Sequence, residues 1–198
     1  MQNKLLVIIP ARKGSKRLKN KNRVIFNGKE LFLHSTEEAK KISGYRLRVI
    51  VSTDDVEIEK KCLLKKIEVK KRLPIHGLDY AAKQSVIKDV CYLLWEEETY
   101  VPDIVLSLQA NSPQVNSIIL EKCLEKFKRH KEVNFCKELI CINKNGDQNA
   151  SIRIMTYKTV FQKTLSTYLT TLTEDIDDIH YHDDLIKVSI KMKKTHDK

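Results

Sequence analysis

Apolar segments of two kinds alternate along the chain. Unbroken apolar runs are typical of strands that are buried on both faces, as in a parallel sheet covered by helices. The run over residues 5–9 is unbroken, and mostly apolar runs of the same kind occupy residues 47–51 and 102–108. In other segments, apolar residues recur at the three- and four-residue spacing of a helix. These helical segments are residues 31–42, 56–66, 81–95 and 117–130. The alternation predicts an α/β fold with a mostly parallel central sheet.

The second half of the chain is less regular but extends the same pattern. Residues 133–141 and 149–154 predict two further strands, joined by a polar turn over residues 143–148. A single domain over residues 1–188 accounts for all of these elements. The lysine-rich residues 189–198 are expected to form a basic, loosely ordered tail.

Composition and charge fit one globular domain with anionic partners. The 198 residues are 41% hydrophobic, enough for one well-formed core. Lysine and arginine number 37 against 26 aspartates and glutamates, a net charge of +11. This excess favours nucleotide phosphates or nucleic acid as partners. Because the lysines are spread along the whole chain, much of the excess is expected on solvated surface, and nucleic-acid binding is not required.

The cysteines and the first apolar run indicate where the protein resides. The five cysteines are an odd number without a CxxC pair, which predicts reduced thiols and argues against a zinc site. The first apolar run is too short for a signal sequence or a membrane span. We therefore expect a cytoplasmic protein with no membrane partner.

The candidate chemistry is concentrated directly after the first strand, in residues 11–22, which we call the cationic loop. The loop carries six cations within ten residues: Arg12, Lys13, Lys16, Arg17, Lys19 and Lys21. Such charges repel one another unless an anion binds between them, and Gly14 lets backbone N–H groups approach phosphate oxygens. Ligands of open α/β sheets bind at the carboxyl ends of the strands. A triphosphate-binding loop is one interpretation, and a solvated basic loop is the other.

The spacing within this loop resembles a known signature. A strand followed by PARxGSKRxxxKN, here residues 10–22, is similar to the CMP-sugar cytidylyltransferases, which include the CMP-sialic acid and CMP-Kdo synthetases. The resemblance implies a three-layer α/β/α nucleotidyltransferase domain in which this motif wraps the phosphates of CTP. The Lys21-Asn22 ending is closer to the sialic acid branch. The implied catalytic residues are Arg12, Lys16 and Lys21, and the implied binding residues of the loop are Ala11, Arg12, Gly14, Ser15 and Asn22.

Two segments in the first half of the chain support the resemblance. Residues 51–55 read VSTDD, as in the family after the second strand, although such a sequence also predicts an ordinary helix N-cap. Arg72 is similar to a family arginine that contacts the cytosine base. The match is imperfect, because Leu73 separates Arg72 from Pro74. Asp79 resembles an aspartate of the same family loop.

Two further segments resemble the family near the acceptor sugar. Gln109 lies in a loop similar to the family's QPTSPLR, where the glutamine faces sugar and nucleotide, but Val115 replaces the arginine. Asn149 begins a strand similar to the family's NGAIYI, with Ala150 and Arg153 replacing the glycine and the tyrosine. The resemblance therefore implies binding roles for Gln109 and Asn149.

The acidic residues 174–185 resemble the family's metal-binding ending, DIDTxEDL. Counting back from Asp184-Leu185 places Asp178 on the first metal-binding aspartate and His180 on the second. The implied metal is Mg²⁺, which prefers oxygen ligands, and Mn²⁺ is the alternative because it accepts nitrogen more readily. A solvated acidic turn that caps a helix has the same composition.

The reaction implied by the resemblance is transfer of CMP from CTP to a 2-keto sugar acid of the sialic acid type, with release of pyrophosphate. Two alternatives stay open. One is a relative that binds nucleotide or sugar with little or no turnover, favoured by His180, Val115 and Ala150. The other is a basic nucleic-acid binder, favoured only by the net charge. Dimers are common in the family, so the resemblance is also compatible with a homodimer.

Overall fold

The computed structural model describes residues 2–72, 83–164 and 166–196. Its strands are β1 (Lys4–Pro10), β2 (Ile25–Phe26), β3 (Lys29–Glu30), β4 (Arg46–Thr53), β5 (Glu68–Lys71), β6 (Ile104–Leu108), β7 (Glu138–Ile142), β8 (Gln148–Thr156) and β9 (Leu169–Thr173). Its α-helices are α1 (Leu31–Ala39), α2 (Val56–Leu64), α3 (Lys83–Glu98), α4 (Ser117–Asn134), α5 (Tyr157–Val160) and α6 (His182–His196). A 3₁₀ turn spans Lys21–Arg23.

Seven strands form one sheet in the order β5-β4-β1-β6-β8-β7-β9, while β2 and β3 pair separately as a hairpin. β1 lies parallel to both β4 and β6, β4 lies parallel to β5, and β7 lies parallel to β9. β8 runs antiparallel to both of its neighbours. Among the described strands the sheet is therefore mostly parallel, as the sequence predicted, and the carboxyl end of β1 lies in its interior.

The apolar side chains of β1 alternate between the two faces of the sheet. Leu5, Val7 and Ile9 belong to one buried cluster, which includes side chains of α1, α2 and α4. Leu6 and Ile8 belong to a second cluster, which includes side chains of α3 and α5. Helices therefore cover both faces, as expected for a parallel sheet whose strands are apolar throughout. This arrangement confirms the predicted three-layer α/β/α class.

Helix α6 packs on the β2–β3 hairpin through a third, smaller cluster. Phe26, Ile179 and Val188 are buried there, and Leu18 and Met192 pack against them. Val188 and Met192 are four residues apart and therefore lie on the same face of the helix. The helix continues to His196, so the segment from residue 189 to His196 is helical where a loosely ordered tail was expected.

In the second half of the sheet, strands β7 and β9 differ from the sequence prediction. The strand predicted over residues 133–141 begins only at Glu138, because α4 continues to Asn134 and ends at Phe135 in the left-handed conformation (φ 55°). Strand β9 was not predicted, since its sequence, LTTLT, is too short and too polar for a clear periodicity. β9 is nevertheless part of the sheet, beside β7, and the acidic residues 174–185 follow it directly in the chain.

A buried ion pair connects β7, β8 and the start of α3. The Glu138 side chain is fully buried and accepts hydrogen bonds from Arg153 Nε and from the Ser166 backbone N–H (2.8 Å). Arg153 Nη1 in turn donates to Gln84 Oε1 (2.6 Å), and Gln84 Nε2 donates to the Val160 carbonyl. The first turn of α3 is therefore tied to the sheet by side-chain hydrogen bonds.

All five cysteines are buried and unpaired by disulfides, in agreement with the prediction of reduced thiols. Burial raises the pKa of the Cys62 thiol to about 11 and that of the Cys91 thiol to about 12. Within the residues that the structure describes, no helix has the length and apolarity that a membrane span requires.

Candidate functional site

The cationic loop is anchored to the turn that follows β4. The Ala11 N–H donates to the Ser52 carbonyl (2.9 Å), and Thr53 Oγ1 donates to the Ala11 carbonyl (2.6 Å). The Lys13 N–H donates to Asp54 Oδ1 (2.7 Å). β1 and β4 are parallel neighbours, so their carboxyl ends meet at one edge of the sheet. The loop is therefore fixed where a ligand of such a sheet is expected.

The loop is closed upon itself by a buried asparagine. Asn22 is only 6% exposed, and its Nδ2 donates to the Arg12 carbonyl (3.0 Å). Gly14 takes the left-handed conformation (φ 76°), which residues with a Cβ rarely adopt. Leu18 packs into the cluster beneath α6 and holds the middle of the loop. The positions of the loop's cations are thus set by contacts at both ends and in the middle.

The loop forms one wall of a cleft of about 150 Å³ at the carboxyl ends of β1, β5 and β6. Four cations from three parts of the chain line it: Arg12, Lys21, Arg72 and Lys83. Neutral polar side chains complete the lining, among them Ser15, Asn22, Gln109 and Asn111. Convergence of four cations with few carboxylates favours a polyanionic ligand, because arginine and lysine provide both charge and directed hydrogen bonds.

Two of these cations are largely removed from water. Burial lowers the pKa of Lys21; Asp178 opposes this shift, and Arg12 and Arg17 add to it. Arg72 is only 7% exposed, and burial lowers its pKa as well. Its Nε has no hydrogen-bond partner in the described part of the chain. Buried donors without partners are costly, so a ligand that accepts these hydrogen bonds and supplies negative charge would be bound favourably.

Asp178 lies at the end of this cleft, held by the loop after β6. Gln109 Nε2 donates to Asp178 Oδ2 (2.9 Å), and Ser112 Oγ donates to Asp178 Oδ1. The neighbouring backbone is fixed by Asn111, which donates from Nδ2 to the Ile179 carbonyl (3.0 Å) and accepts from the Ile179 N–H through its own carbonyl (2.9 Å). Asp178 is therefore a positioned carboxylate in a cationic neighbourhood.

A second cavity, of about 590 Å³, lies on the other side of Asp178. Its lining includes Asn149, Asp178, His180, Lys187 and Lys191. Gln109 lines the cleft and Asp178 lines this cavity, so the hydrogen bond between them lies on the boundary of the two spaces. The site thus has two compartments that meet at one carboxylate.

The donor set around Asp178 suits a metal carried by a polyphosphate better than one held by the protein alone. Within the described residues there is no group of three or more histidine, cysteine, aspartate or glutamate side chains arranged to hold a metal. His180 Nε2 lies 3.9 Å from Asp178 Oδ2, and burial lowers the pKa of His180, with Lys21 adding to the effect. One carboxylate with an adjacent neutral imidazole fits Mg²⁺ only when phosphates and water supply the remaining ligands.

The comparison with known families decides what kind of protein has this site. A family model described as cytidylyltransferase matches residues 6–186. The chain belongs to the cytidylyltransferase family. The resemblance inferred from the cationic loop is thereby confirmed, and it extends over nearly the whole chain.

Relatives of this chain are named for different sugar acids. It is 38% identical over 127 residues to the pseudaminic acid cytidylyltransferase of Campylobacter jejuni, a match that covers 63% of this chain and 53% of that protein. It is 30% identical over 128 residues to an N-acylneuraminate cytidylyltransferase of Streptococcus agalactiae, covering 64% of this chain and 30% of that protein. This cytidylyltransferase thus aligns with about half, or less, of the length of these relatives.

A solved structure confirms the fold of this cytidylyltransferase. The CMP:2-keto-3-deoxy-manno-octonic acid synthetase complexed with CTP superposes with a TM-score of 0.77. The superposition covers 97% of this chain and 99% of that one at 16% sequence identity. The likeness therefore concerns the path of the chain through the sheet and its helices.

The structure brings most of the predicted site residues of this cytidylyltransferase together. The predicted residues that line the cleft are Arg12, Ser15, Lys21, Asn22, Arg72 and Gln109. Ala11 and Gly14 contribute the buried anchor and the turn of the loop. Lys16 is exposed and is not among the described residues that line the cleft. Asp79 falls outside the described residues.

Asn149 lies apart from the predicted nucleotide-binding residues. It lines the second cavity with Asp178 and His180, and its Nδ2 donates to Asn143 Oδ1 (3.0 Å) and to the Glu174 carbonyl (2.9 Å). The predicted cofactor-binding residues are therefore divided between two compartments.

The sequence analysis missed several residues that line the two compartments, among them Lys83, Lys187 and Asn111. Lys83 reaches the cleft from the start of α3, and Lys187 reaches the second cavity from α6. Asn111 fixes the backbone beside Asp178. Single lysines in amphipathic helices give no signal above the many surface lysines. The alternation of apolar and polar residues in α3 could indicate only which side of the helix faces the sheet.

Proposed function

We propose that this cytidylyltransferase transfers CMP from CTP to the anomeric hydroxyl of a 2-keto sugar acid and releases pyrophosphate. The observation that carries the proposal is the convergence of Arg12, Lys21, Arg72 and Lys83 on one cleft at the carboxyl end of β1. The cleft meets a second cavity at Asp178. Two compartments that share a boundary suit a reaction between two bound substrates.

The cleft receives CTP. Arg12 and Lys21 extend from the cationic loop towards the phosphates, and Asn22 keeps the loop closed through the Arg12 carbonyl. Arg72 enters from the end of β5 with a buried guanidinium whose Nε lacks a partner among the described residues, which suits the acceptor atoms of a cytosine base. Lys16, on the exposed part of the loop, adds to the positive potential that attracts the nucleotide.

The second cavity receives the sugar acid. Its volume of about 590 Å³ falls within the usual range for small-molecule sites. Lys187 supplies positive charge for the carboxylate of the sugar acid. Lys191 is paired with Asp177, and Asn149, whose Nδ2 is bonded to Asn143 and to the Glu174 carbonyl, shapes the wall of the cavity. Asp178 then lies between the bound sugar acid and the nucleotide.

The transfer exchanges one bond at the α-phosphorus. The anomeric oxygen of the sugar acid forms a bond to this phosphorus, and the bond to the oxygen that bridges to the β-phosphate breaks. Pyrophosphate leaves with that electron pair, and the hydroxyl proton passes to water, because no described residue stands out as a base. Negative charge increases on the phosphoryl oxygens and the leaving group, where the fixed cations of the cleft stabilise it.

Asp178 would hold Mg²⁺ together with the phosphates of CTP, and His180 stands beside it without a second carboxylate. When bound, the ion supplies charge neutralisation at the phosphates. The Gln109 and Ser112 hydrogen bonds keep the Asp178 carboxylate in place whether or not the nucleotide is present.

Within the 2-keto sugar acids, we place the substrate among the nine-carbon acids of the sialic and pseudaminic type. The names of two relatives support this choice, and so does the Lys21-Asn22 ending of the cationic loop. The proposal covers the class and leaves the substituents of the sugar to experiment.

A matrix of pyrophosphate-release assays tests the function. CTP, UTP, ATP and GTP are each combined with N-acetylneuraminic acid, pseudaminic acid and 3-deoxy-manno-octulosonic acid in the presence of Mg²⁺ or Mn²⁺. We expect turnover with CTP and a nine-carbon acid. CTP binding without turnover in any combination would instead support a relative that only binds nucleotide, and failure to bind CTP would overturn the proposal altogether.

Replacing Arg12 by alanine is expected to weaken CTP binding by about 1.5–3 kcal/mol, the usual contribution of a hydrogen bond to a charged group. The fold should be retained, because the loop closes through the Arg12 carbonyl, which alanine keeps. Isothermal titration calorimetry measures the affinity. Replacing the exposed Lys60 of α2 in the same way is the matched control, and unchanged affinity in a folded Arg12→Ala protein would contradict the assignment.

A further inference from the structure

We propose that Lys83 is a further catalytic residue of this site, whose ammonium contacts the α-phosphoryl group of CTP and stabilises the negative charge that builds up there during transfer. The inference rests on the proposed function, because it requires CTP in the cleft. Lys83 is the first described residue of α3 and belongs to neither the cationic loop nor the acidic ending.

Lys83 lies opposite the cationic loop in the same cleft. It lines the cleft together with Arg12, Lys21 and Arg72. Asp178 is the strongest charged neighbour of both Lys83 and Lys21, and Lys21 is also a charged neighbour of Lys83. Lys83 therefore faces the end of the cleft at which Asp178 separates the nucleotide compartment from the second cavity.

The order of groups along the cleft indicates which part of CTP Lys83 meets. In the proposed complex the cytosine base lies against Arg72 and the sugar acid lies beyond Asp178. The α-phosphorus is bonded to the nucleoside and is attacked by the sugar acid, so it must lie between these two residues. Of the four cations that line the cleft, Lys21 and Lys83 have Asp178 as their strongest charged neighbour. Lys21 belongs to the loop that surrounds the phosphates, and Lys83 does not.

The backbone that carries Lys83 is held in place by its neighbour in the sequence. Gln84 donates to the Val160 carbonyl and accepts from Arg153, which is itself paired with the buried Glu138. Electrostatic stabilisation of a transition state is most effective when the charged group is already in position and does not reorganise during the reaction. The network of Glu138, Arg153 and Gln84 provides this for the first turn of α3.

The electrostatic surroundings of Lys83 favour the binding of an anion. Lys83 is exposed to the water of the cleft. Desolvation of its ammonium by the neighbouring protein lowers its pKa; Asp178 opposes the shift, and Lys21 and Arg153 add to it. A negatively charged phosphoryl oxygen would compensate this cation and would raise its pKa again.

Replacing Lys83 by cysteine tests the inference and allows the charge to be restored. All five native cysteines are buried, so the introduced thiol is the one that reacts readily in the folded protein. Alkylation with 2-bromoethylamine then adds an aminoethyl group and returns an ammonium at nearly the length of lysine. Iodoacetamide adds a neutral group to the same thiol, and mass spectrometry counts the adducts. Lys88→Cys, on the same helix and outside the cleft lining, is the control.

We expect Lys83→Cys to lower kcat by about 10²–10³-fold, the usual effect of removing one group that stabilises transition-state charge. The Kd for CTP should change much less, because the loop cations and Arg72 are intact. Aminoethylation should recover most of the lost kcat, whereas the neutral adduct should not, and Lys88→Cys should behave as the wild type. An unchanged kcat in Lys83→Cys, or equal recovery with both reagents, would overturn the inference while the wild-type protein is active. Absence of turnover in the wild type would overturn the proposed function and this inference with it.

Discussion

Replacing Asp178 by asparagine is expected to reduce turnover at least about 100-fold, with the fold intact. The substitution removes the carboxylate charge at the boundary of the two compartments and changes the shape of the side chain very little. Asparagine can still accept a hydrogen bond from Ser112, and the Gln109 amide can reverse to present its oxygen. The loss of activity should therefore come from charge. Steady-state kinetics with CTP and the preferred sugar acid measure it, and thermal denaturation verifies the fold.

The neighbouring histidine provides the matched variant for this experiment. His180→Asp places a second carboxylate beside Asp178, and oxygen ligands favour Mg²⁺. We expect higher activity in Mg²⁺ relative to Mn²⁺ than in the wild type. Full activity of Asp178→Asn, or a metal preference that His180→Asp leaves unchanged, would show that the acidic residues do not act on the reaction as proposed.

Replacing Arg153 by methionine is expected to lower the free energy of unfolding by about 3–5 kcal/mol, the usual cost of leaving one member of a buried ion pair alone. The Glu138 side chain is fully buried, so its charge would lose its principal partner without gaining water. The Ser166 N–H would remain as a hydrogen-bond donor to Glu138. Urea denaturation at neutral pH measures the difference.

A second substitution separates the effect of charge from that of packing. Adding Glu138→Gln to the Arg153→Met protein removes the stranded charge and keeps an acceptor for the Ser166 N–H. We expect the double variant to be more stable than Arg153→Met alone. A loss below about 1 kcal/mol in Arg153→Met, a value typical of an exposed ion pair, would contradict this account of the pair.

The sequence predicted the cationic loop and its surroundings well because the signals there are local. An apolar run that ends at Pro10 and a dense group of cations around Gly14 are visible within the seventeen residues 5–21. In the structure Arg12, Lys21 and Asn22 line one cleft, and Arg72 and Gln109 join them from other strand ends. Strand ends of a parallel sheet meet at one edge, so residues that follow predicted strands can be grouped before the fold is known.

Contacts between distant segments could not be predicted in this way. Residues 52–54 predicted a helix cap, yet three of their backbone or side-chain groups hold the cationic loop in place. Lys83 reaches the cleft because Gln84 bonds to β8 and α5, a connection across some seventy residues of sequence. The segment after residue 188 was expected to be loosely ordered from its lysines, whereas Val188 and Met192 provide an apolar face that packs on Phe26. In each case a contact between distant segments of the chain determined the local structure.

The most direct test of the account is to follow the α-phosphorus of CTP. The protein is incubated with CTP labelled at that phosphorus and the sugar acid selected from the assay matrix, and the products are separated and weighed by mass spectrometry. We predict that the label appears in a CMP-sugar acid, formed in a one-to-one ratio with pyrophosphate, and that Asp178→Asn forms neither product at a comparable rate. Pyrophosphate release with the label in free CMP, or label that remains in CTP for every sugar acid, would contradict the transfer of CMP by this cleft.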